Sequence, residues 1–389
     1  MKTTTKHMES HSADALLREA EAFYQCNRER AHVMFGYPSN NVRLSPTTKA
    51  LLEQHYESPF ANNCGDIDER GYYAMDTKDV EKRIVGLFAE KFGMGDGFWG
   101  YVTSGGSESN SCGISLAFSQ NPDGVLYYSQ AAHYSIKKYA RLYKRVEIPT
   151  LGNDVMDTEA LLEAIQRNHG ATGAAANIVL THGTTQYGAC DDVDTIVAFL
   201  RKHAIPYYLH VDAALFGGIP NDQTDAPVLV DCKARGIHSV CVSLHKYIGF
   251  PDVHSVFVST DKPQGKSIAY IGQRDTTVSG SRSIPAFALY HHVSERLQET
   301  DQGAYARNVR IMEALLQENG VPFYRAPNAN IFVIDQPSES TCRKFQLSCF
   351  TETVNGKTLP KAHVIVFPSH RHTEMSALAE QLRADLKNE

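Results

Sequence analysis

The chain lacks several features that would assign it to a specialised class of protein. Its 389 residues contain no run of about 18 apolar residues, which argues against a membrane span. Lys and Arg number 38 against 44 Asp and Glu, and the net charge of −6 gives no general attraction to nucleic acid or anionic lipid. The polar start, residues 1–18, has no apolar signal-peptide core. We expect a soluble intracellular protein without nucleic-acid or membrane partners.

Common metal, disulfide and nucleotide motifs are also missing. The eight cysteines are scattered singly without a CxxC pair, so we expect reduced, mostly buried thiols and a cytoplasmic location. His291-His292 and His370-Arg371-His372 lack both HExxH spacing and an accompanying cysteine pair, so no metal site is predicted. Neither a GxGxxG nor a Walker loop occurs, which disfavours a dinucleotide or nucleoside triphosphate as ligand.

The composition and the apolar periodicity predict a globular α/β protein. Apolar residues make up 42% of the chain and charged residues 21%, which is ordinary for a folded protein. The pattern divides into an N-terminal helical segment (1–60), a large α/β domain (61–285) and a smaller C-terminal α+β domain (286–389). In the large domain, strands alternate with helices of 10–15 residues, which predicts a mainly parallel sheet with helices on both faces.

A glycine-rich turn is the first candidate for a ligand contact. Residues 103–110, Thr-Ser-Gly-Gly-Ser-Glu-Ser-Asn, follow a predicted strand and open a predicted helix. Gly105 and Gly106 permit a close backbone approach, and Ser104, Ser107 and the free helix N–H groups could bind an anion. The same residues also fit a capping turn with no ligand, so the motif alone decides nothing.

Three further polar residues follow apolar strands. Asp212 directly follows the apolar run 207–211 at the end of a predicted strand, where a carboxylate needs a cationic partner. Lys246 follows strand 239–243, and partial desolvation would make its amine nucleophilic. His133 follows another strand and could stack on a ring. Each fits a structural role on its own, as an N-cap, a solvated lysine or a hydrogen-bonded histidine.

Taken together, these four signals fit pyridoxal 5′-phosphate (PLP). The helix start would take the phosphate, Asp212 would pair with the protonated pyridine nitrogen, Lys246 would bind the aldehyde as a Schiff base, and His133 would stack on the ring. A pyridinium–carboxylate pair would keep the cofactor an electron sink.

The segments that carry these residues resemble those of a known family. The chain is similar to the PLP-dependent group II amino-acid decarboxylases of fold type I, and within them it most resembles the compact bacterial histidine decarboxylases. The resemblance covers about residues 35–320 and is carried by five segments: 101–108, 126–135, 210–214, 243–246 and 278–282.

The resemblance implies a fold and a set of cofactor contacts. The fold would be the fold type I transferase-like architecture, a mainly parallel seven-stranded sheet flanked by helices with a smaller C-terminal α+β domain. The residues implied around the phosphate are Ser104, Gly105, Ser107, Ser243 and His245. Ala214 would pack on the ring face opposite His133, and Thr184 would lie by the ring substituents.

The resemblance also implies a homodimer with two shared active sites. Gly280 and Ser281 would reach the phosphate of the neighbouring subunit. Tyr37-Pro38 and residues 62–66 would line the substrate entrance. Asp252 and His254 stand where relatives carry smaller, more apolar residues, so the resemblance leaves the substrate side of the pocket open. Residues 337–360 resemble the family only loosely.

The reaction we predict is α-decarboxylation of an L-amino acid to its amine and CO₂, with histidine as the first substrate to test. Tyr270, in a glycine-flanked segment ahead of Gly280, is the predicted donor of the proton to Cα. An aromatic plug in a loop fits Tyr270 equally well. The alternatives are a decarboxylase of another amino acid (aromatic, serine or acidic), a decarboxylating aldehyde synthase, and a catalytically inactive scaffold of the same fold.

Overall fold

The computed structural model describes residues 13–58, 61–72, 75–222, 226–298, 303–354 and 357–387. The predicted polar lead, residues 1–12, lies outside the described residues. The helices are α1 (Ala13–Arg30), α2 (Pro46–Glu57), α3 (Lys78–Phe92), α4 (Gly106–Gln120), α5 (Tyr134–Ala140), α6 (Thr158–Thr172), α7 (Val193–Lys202), α8 (Cys232–Arg235), α9 (Ala286–Leu297), α10 (Ala304–Glu318), α11 (Glu339–Phe345) and α12 (His372–Leu386).

The strands fall into three sheets. They are β1 (Trp99–Thr103), β2 (Val125–Ser129), β3 (Arg145–Ile148), β4 (Ala176–Thr181), β5 (Tyr207–Asp212), β6 (Ser239–Ser243), β7 (Ser255–Ser259), β8 (Lys266–Ile268), β9 (Gln273–Asp275), β10 (Ile331–Asp335), β11 (Ser348–Val354) and β12 (Lys357–Ile365). Strands β1 to β7 form the large sheet, β10 to β12 a second sheet, and β8 and β9 a two-stranded hairpin.

The large sheet has seven strands in the order β1-β7-β6-β5-β4-β2-β3. Its four pairs from β3 to β6 are parallel, whereas β7 pairs antiparallel with both β6 and β1. The sequence prediction of a mainly parallel seven-stranded sheet is confirmed. Strands β1, β2, β4, β6 and β7 are buried along their whole length, as expected where helices cover both faces.

The strand directions bring the candidate residues to one edge of the sheet. Strands β2, β4, β5 and β6 run parallel and therefore end at the same edge. Strand β1 is antiparallel to β7, which is antiparallel to β6, so β1 ends at that edge too. The residues after these strands, including the glycine turn and Lys246, consequently meet there. Ligands of open α/β sheets bind at this carboxyl edge.

The C-terminal part forms a smaller α+β unit, as the resemblance implies. Its antiparallel sheet has the order β10-β12-β11, and its buried core includes Phe332, Val364, Met375 and Leu378. Strand β11 and helix α11 were not predicted from sequence. The sequence Ser-Cys-Phe-Thr-Glu-Thr-Val of β11 is mainly polar, so it lacks the apolar alternation that marks a half-buried strand. The bounds of the three predicted domains remain a prediction.

A buried ion pair fixes the loop that carries Gly280 and Ser281. Arg282 Nη2 lies 3.1 Å from Glu81 Oε2, and the two side chains are only 3% and 0% exposed. Glu81 also accepts hydrogen bonds from the backbone N–H of Val102 (2.9 Å) and from Asn63 Nδ2 (2.7 Å). One carboxylate thus ties α3, β1 and two loops together.

We expect Arg282→Leu to lower the free energy of unfolding by about 3–5 kcal/mol, because it leaves the Glu81 carboxylate buried without its cation. Urea unfolding followed by circular dichroism measures the change. The matched control is Arg343→Leu, which removes the partner of Glu339 from a pair whose side chains are 79% and 78% exposed. There we expect less than about 1 kcal/mol. Equal losses in the two variants would contradict the prediction.

Among the described residues, no helix has the length and apolar character needed to cross a membrane.

Candidate active site

A cavity of about 380 Å³ opens at the carboxyl edge of the large sheet. Its wall brings together nine of the residues singled out from the sequence. They are Ser104, Gly105, Ser107, His133, Asp212, Ala214, Ser243, His245 and Lys246. Nine residues not assigned to the cofactor site from sequence complete the wall: Tyr37, Pro38, Gly106, Asn110, Tyr134, Thr181, Gly183, Thr185 and Val253.

The glycine turn presents the first turn of α4 to this cavity. Gly105 adopts φ +131°, a conformation that L side chains rarely take. A Cβ on Gly106 would lie 3.1 Å from Ser243 Oγ, so the helix start and the end of β6 are in close approach. Ser255 Oγ donates to Ser243 Oγ at 3.1 Å, which leaves the Ser243 hydroxyl hydrogen free to donate. The turn therefore offers N–H and O–H donors to an anion.

Within the chain, Ser104 contacts Glu108, and its contact with the cofactor phosphate remains a prediction. Its N–H and its hydroxyl both donate to Glu108 Oε2, at 2.9 and 2.6 Å. Burial raises the pKa of the Glu108 carboxyl, but hydrogen bonds from Ser104 and Ser279 outweigh that effect and leave it below its usual value. Sequence reasoning missed Glu108 as the acceptor that shapes this turn. The Ser-x-x-x-Glu spacing, close to that of a capping box, was the available signal.

Lys246 lies on the cavity wall and directly follows His245 in the sequence. Burial lowers the pKa of its amine, against the opposing effect of the Asp212 carboxylate. Its backbone carbonyl accepts from the N–H of Asn40 at 2.9 Å, which fixes the lysine loop to the N-terminal segment. A lowered pKa increases the neutral, nucleophilic fraction of an amine at a given pH.

Asp212 accepts hydrogen bonds at both carboxylate oxygens. Asn110 Nδ2 donates to Oδ2 at 2.8 Å, and the backbone N–H of Ala214 donates to Oδ1 at 3.1 Å. Sequence reasoning missed Asn110. It lies four residues after Gly106 and three before Gly113, which is the spacing of one helix face, and that face packs on the sheet.

His133 is the N-cap of α5 and lies on the same cavity wall as Ala214. Its Nδ1 lies 2.8 Å from Ser135 Oγ and accepts from the Ser135 N–H at 3.3 Å. Burial lowers the pKa of the His133 ring, with the nearby Lys246 acting in the same direction. The ring is therefore mainly neutral at neutral pH.

Four predicted site residues lie away from this cavity wall. Thr184 is buried, and its Oγ1 accepts from the Ala189 N–H at 3.0 Å. Ser281 Oγ donates to Asn62 Oδ1 at 2.7 Å, and the neighbouring Gly280 carbonyl accepts from the thiol of Cys64. Tyr270 lies between β8 and β9 with 75% of its surface exposed.

The histidine pairs weighed as metal ligands make structural contacts. His292 Nε2 bonds to the Ile248 carbonyl at 2.9 Å. His370 stacks on Phe35 with ring centroids 4.3 Å apart. His291 Nδ1 lies 3.1 Å from Thr48 Oγ1.

The cavity residues fit PLP. A primary amine, a buried carboxylate and an imidazole share one wall with a helix start that offers donors to an anion. Thr181 Oγ1 is buried and has no hydrogen-bond partner within the described part of the chain, so a bound polar group would satisfy it. The donor set therefore matches a ligand that combines a phosphate, an aldehyde and a basic ring nitrogen.

Known proteins share both this sequence and this architecture. The model of the pyridoxal-dependent decarboxylase conserved domain matches residues 119–318. Histidine decarboxylase of Acinetobacter baumannii (strain ACICU) is 35% identical over 346 residues, which is 84% of this chain and 85% of that protein. The chain belongs to the pyridoxal-dependent decarboxylase family. This decarboxylase is a carboxy-lyase that uses PLP.

Two other relatives extend the comparison. Serine decarboxylase 2 of Oryza sativa subsp. japonica is 31% identical over 390 residues, covering 94% of this decarboxylase and 77% of the plant protein. The crystal structure of L-methionine decarboxylase from Streptomyces sp. 590 superposes with a TM-score of 0.81 over 96% of both chains. At 22% identity, that structure shows the fold alone.

Proposed function

We propose that this decarboxylase converts L-histidine to its amine and CO₂. The observation that carries the proposal is the 35% identity to a histidine decarboxylase over 84% of the chain, together with Lys246, Asp212 and His133 on one cavity wall. Relatives at this identity share the family, whereas the side-chain pocket can differ between them.

The cavity residues have separate tasks in the proposed reaction. When bound, PLP supplies an electron sink for the pair released as the Cα–carboxylate bond breaks. Lys246 would hold the cofactor aldehyde through its amine, and Asp212 would pair with the charge on the ring nitrogen. The start of α4 and the Ser243 hydroxyl would bind the phosphate. His133 and Ala214 would hold the ring, and the cavity walls would orient the substrate against it.

The test is a panel of L-amino acids given to the PLP-loaded protein, with amines identified by mass spectrometry and oxygen uptake recorded in parallel. We expect histidine to give the highest kcat/KM and no oxygen uptake. If a different amino acid gave the highest kcat/KM for amine formation, that amino acid would replace histidine as the proposed substrate. Aldehyde with oxygen consumption would replace the decarboxylase with an aldehyde synthase, and the absence of any product would support an inactive scaffold.

Serine is the second candidate substrate. Its support is the 31% identity to serine decarboxylase 2 over 94% of this chain. Asp252, one of the polar residues that depart from the family pattern, accepts a hydrogen bond from Tyr56 at 3.1 Å. The panel separates histidine from serine directly, because the two amines differ in mass.

We further propose that two copies of the chain share their active sites. Helix α1 has no buried residue, and it exposes Leu16, Leu17, Phe23 and Tyr24 by 59–63%. Burying such a face against a second copy would remove it from water. In such a dimer, the exposed turn of Gly280 and Ser281 would lie at the cavity of the partner. The exposed Tyr270 would lie there too.

Mixing two inactive variants tests the shared site. Lys246→Ala and Tyr270→Phe chains, refolded together, form hybrid dimers in which one cavity carries both wild-type residues. We expect the mixture to recover up to about a quarter of wild-type activity, the random-pairing limit for one intact site in half of the dimers. A monomer in sedimentation velocity, or no recovery on mixing, would contradict shared sites.

We also propose a reducing, cytoplasmic setting. The support is that all eight cysteines are free and that burial raises the pKa of the thiols of Cys112 and Cys232 to about 12. Such thiols are poorly reactive and need no oxidising compartment.

Tyr270→Phe is expected to release CO₂ at least once and then to stop, because the proton for Cα would be missing. Protonation at the wrong carbon would give an aldehyde in place of the amine, with the amino group left on an inactive, aminated cofactor. Single-turnover measurement of CO₂, amine and aldehyde checks this. Tyr134→Phe is the comparison, since Tyr134 lines the cavity of its own chain. Clean amine production by Tyr270→Phe at an undiminished rate would remove Tyr270 as the donor and leave His133 or a water molecule.

A further inference from the structure

Asn110 is linked to two groups that the proposed function assigns to the cofactor ring, to Asp212 directly and to His133 through Ser135. Its side chain is 1% exposed. Nδ2 donates to Asp212 Oδ2 at 2.8 Å and to Ser135 Oγ at 3.1 Å. Ser135 Oγ in turn lies 2.8 Å from His133 Nδ1. One amide group therefore links the carboxylate and the imidazole of the cavity wall.

The orientation of this amide follows from its partners. An ionised carboxylate only accepts hydrogen bonds, so the NH₂ group of Asn110 must face Asp212. The amide oxygen then faces His210 Nε2 at 3.0 Å, which must donate to it. Cys241 Sγ lies 3.2 Å from the same oxygen and 3.5 Å from Asp212 Oδ1, so its single hydrogen has two acceptors. Burial lowers the pKa of His210 to about 4, so its neutral ring carries one hydrogen, on Nε2.

The packing holds His210 in this position. His210 and Asp212 are two residues apart on β5 and share one face of the strand. A Cβ on Gly113 of α4 would lie 2.6 Å from His210 Cγ, so the helix can approach the ring only with glycine there. His210 Nδ1 lies 2.8 Å from Ser239 Oγ, which completes its hydrogen bonding.

The same logic determines the tautomer of His133. Ser135 Oγ accepts from Asn110 Nδ2, so its single hydrogen is available for His133 Nδ1. The Ser135 N–H also points to that nitrogen, at 3.3 Å. Nδ1 is thus an acceptor, and the hydrogen of the neutral ring lies on Nε2.

We propose that Asn110 is a positioning residue that holds the two ring contacts in place, by donating to the Asp212 carboxylate and to the Ser135 hydroxyl that lies against His133 Nδ1. The roles of Asp212 and His133 toward PLP rest on the proposed function. The hydrogen bonds of these two side chains do not rest on the proposed function, because they lie within the protein alone. Asn110 acts through its neighbours and needs no contact of its own with the substrate.

Two measurements test this proposal: the tautomer of His133 in the cofactor-free protein and the affinity of the protein for PLP. Nitrogen-15 NMR of histidine-labelled protein gives the tautomer of His133, identified by the signal lost in His133→Gln. Titration with PLP gives its dissociation constant. In the wild type we expect a single Nε2–H tautomer. In Asn110→Leu we expect the Nε2–H tautomer to persist, because the Ser135 N–H still donates to Nδ1. We expect the dissociation constant of PLP to rise about 10–100-fold, the effect of losing one hydrogen bond to a charged group.

Asn110→Asp supplies a pH readout that loss of packing would not give. The new carboxyl keeps the shape of the amide but can donate to Asp212 only when it is protonated. Relative to the wild type at each pH, its PLP affinity should therefore recover as the pH falls. The control is Asn177→Leu, which removes another fully buried amide from the far end of β4, where it pairs with Asn121. We expect that variant to lose stability while keeping the His133 tautomer and the PLP affinity.

A wild-type His133 protonated on Nδ1 would overturn the proposal without any variant. An unchanged dissociation constant in Asn110→Leu would also overturn it, as would a PLP affinity of Asn110→Asp that follows the wild type at every pH. If Asn110→Leu does not fold, the wild-type tautomer and the Asn110→Asp profile still decide. Failure of every amino acid as a substrate would defeat the proposed function and leave these measurements unaffected.

Discussion

Replacing Lys246 with alanine is expected to reduce turnover by about 10⁴-fold or more, the scale seen when a residue that forms a covalent bond in catalysis is removed. The reason is that the Lys246 amine, whose pKa burial lowers, is the proposed nucleophile and lines the same cavity as Asp212. The protein should stay folded, because a lysine at a strand end contributes little packing. Steady-state amine formation measures turnover, and thermal unfolding checks the fold.

The matched control is Lys91→Ala. Burial lowers the pKa of Lys91 to about 8, but the residue lies on α3, away from the cavity, and its backbone carbonyl accepts from Asn221. A lowered pKa alone does not make a lysine the attachment site, so Lys91→Ala should keep its activity. Borohydride reduction and peptide mapping identify the modified lysine. An adduct on a peptide without Lys246 would overturn the assignment.

Replacing Asp212 with asparagine is expected to lower kcat/KM by about 10³-fold, because it removes the charge that holds the ring nitrogen protonated. PLP should still bind through its phosphate and Lys246. Single-turnover kinetics and PLP titration separate the two effects, since the chemical step should slow far more than binding weakens.

A purely structural Asp212 would give a different result. The carboxylate accepts from the Ala214 N–H at 3.1 Å, and an asparagine carbonyl could accept the same hydrogen bond. If capping this turn were its only task, the variant would keep near-wild-type turnover. That outcome would remove Asp212 from the mechanism, whereas a large loss with intact folding would retain it.

Much of the fold could be predicted from the sequence. The apolar runs 176–181, 239–243 and 255–259 predict three strands, and β4, β6 and β7 have these bounds, since each run lies between turn or helix signals. Strands β8 and β9 were missed, because three residues each are too few to show alternation. Strand β12 was predicted only from residue 363, although it begins at Lys357, because its exposed first half carries no apolar pattern.

The sequence alone determined which chemical groups follow the strands: the glycine turn, His133, Asp212 and Lys246. The reason is local, because turn residues and strand ends leave their signal within a few positions. Only the tertiary structure decided the partners of these groups. Asn110 meets Asp212 across 102 positions of chain, and such a contact leaves no periodic or spacing signal. It likewise turned Ser104 towards Glu108 and left Tyr270 on the surface, since side-chain direction depends on how whole elements pack.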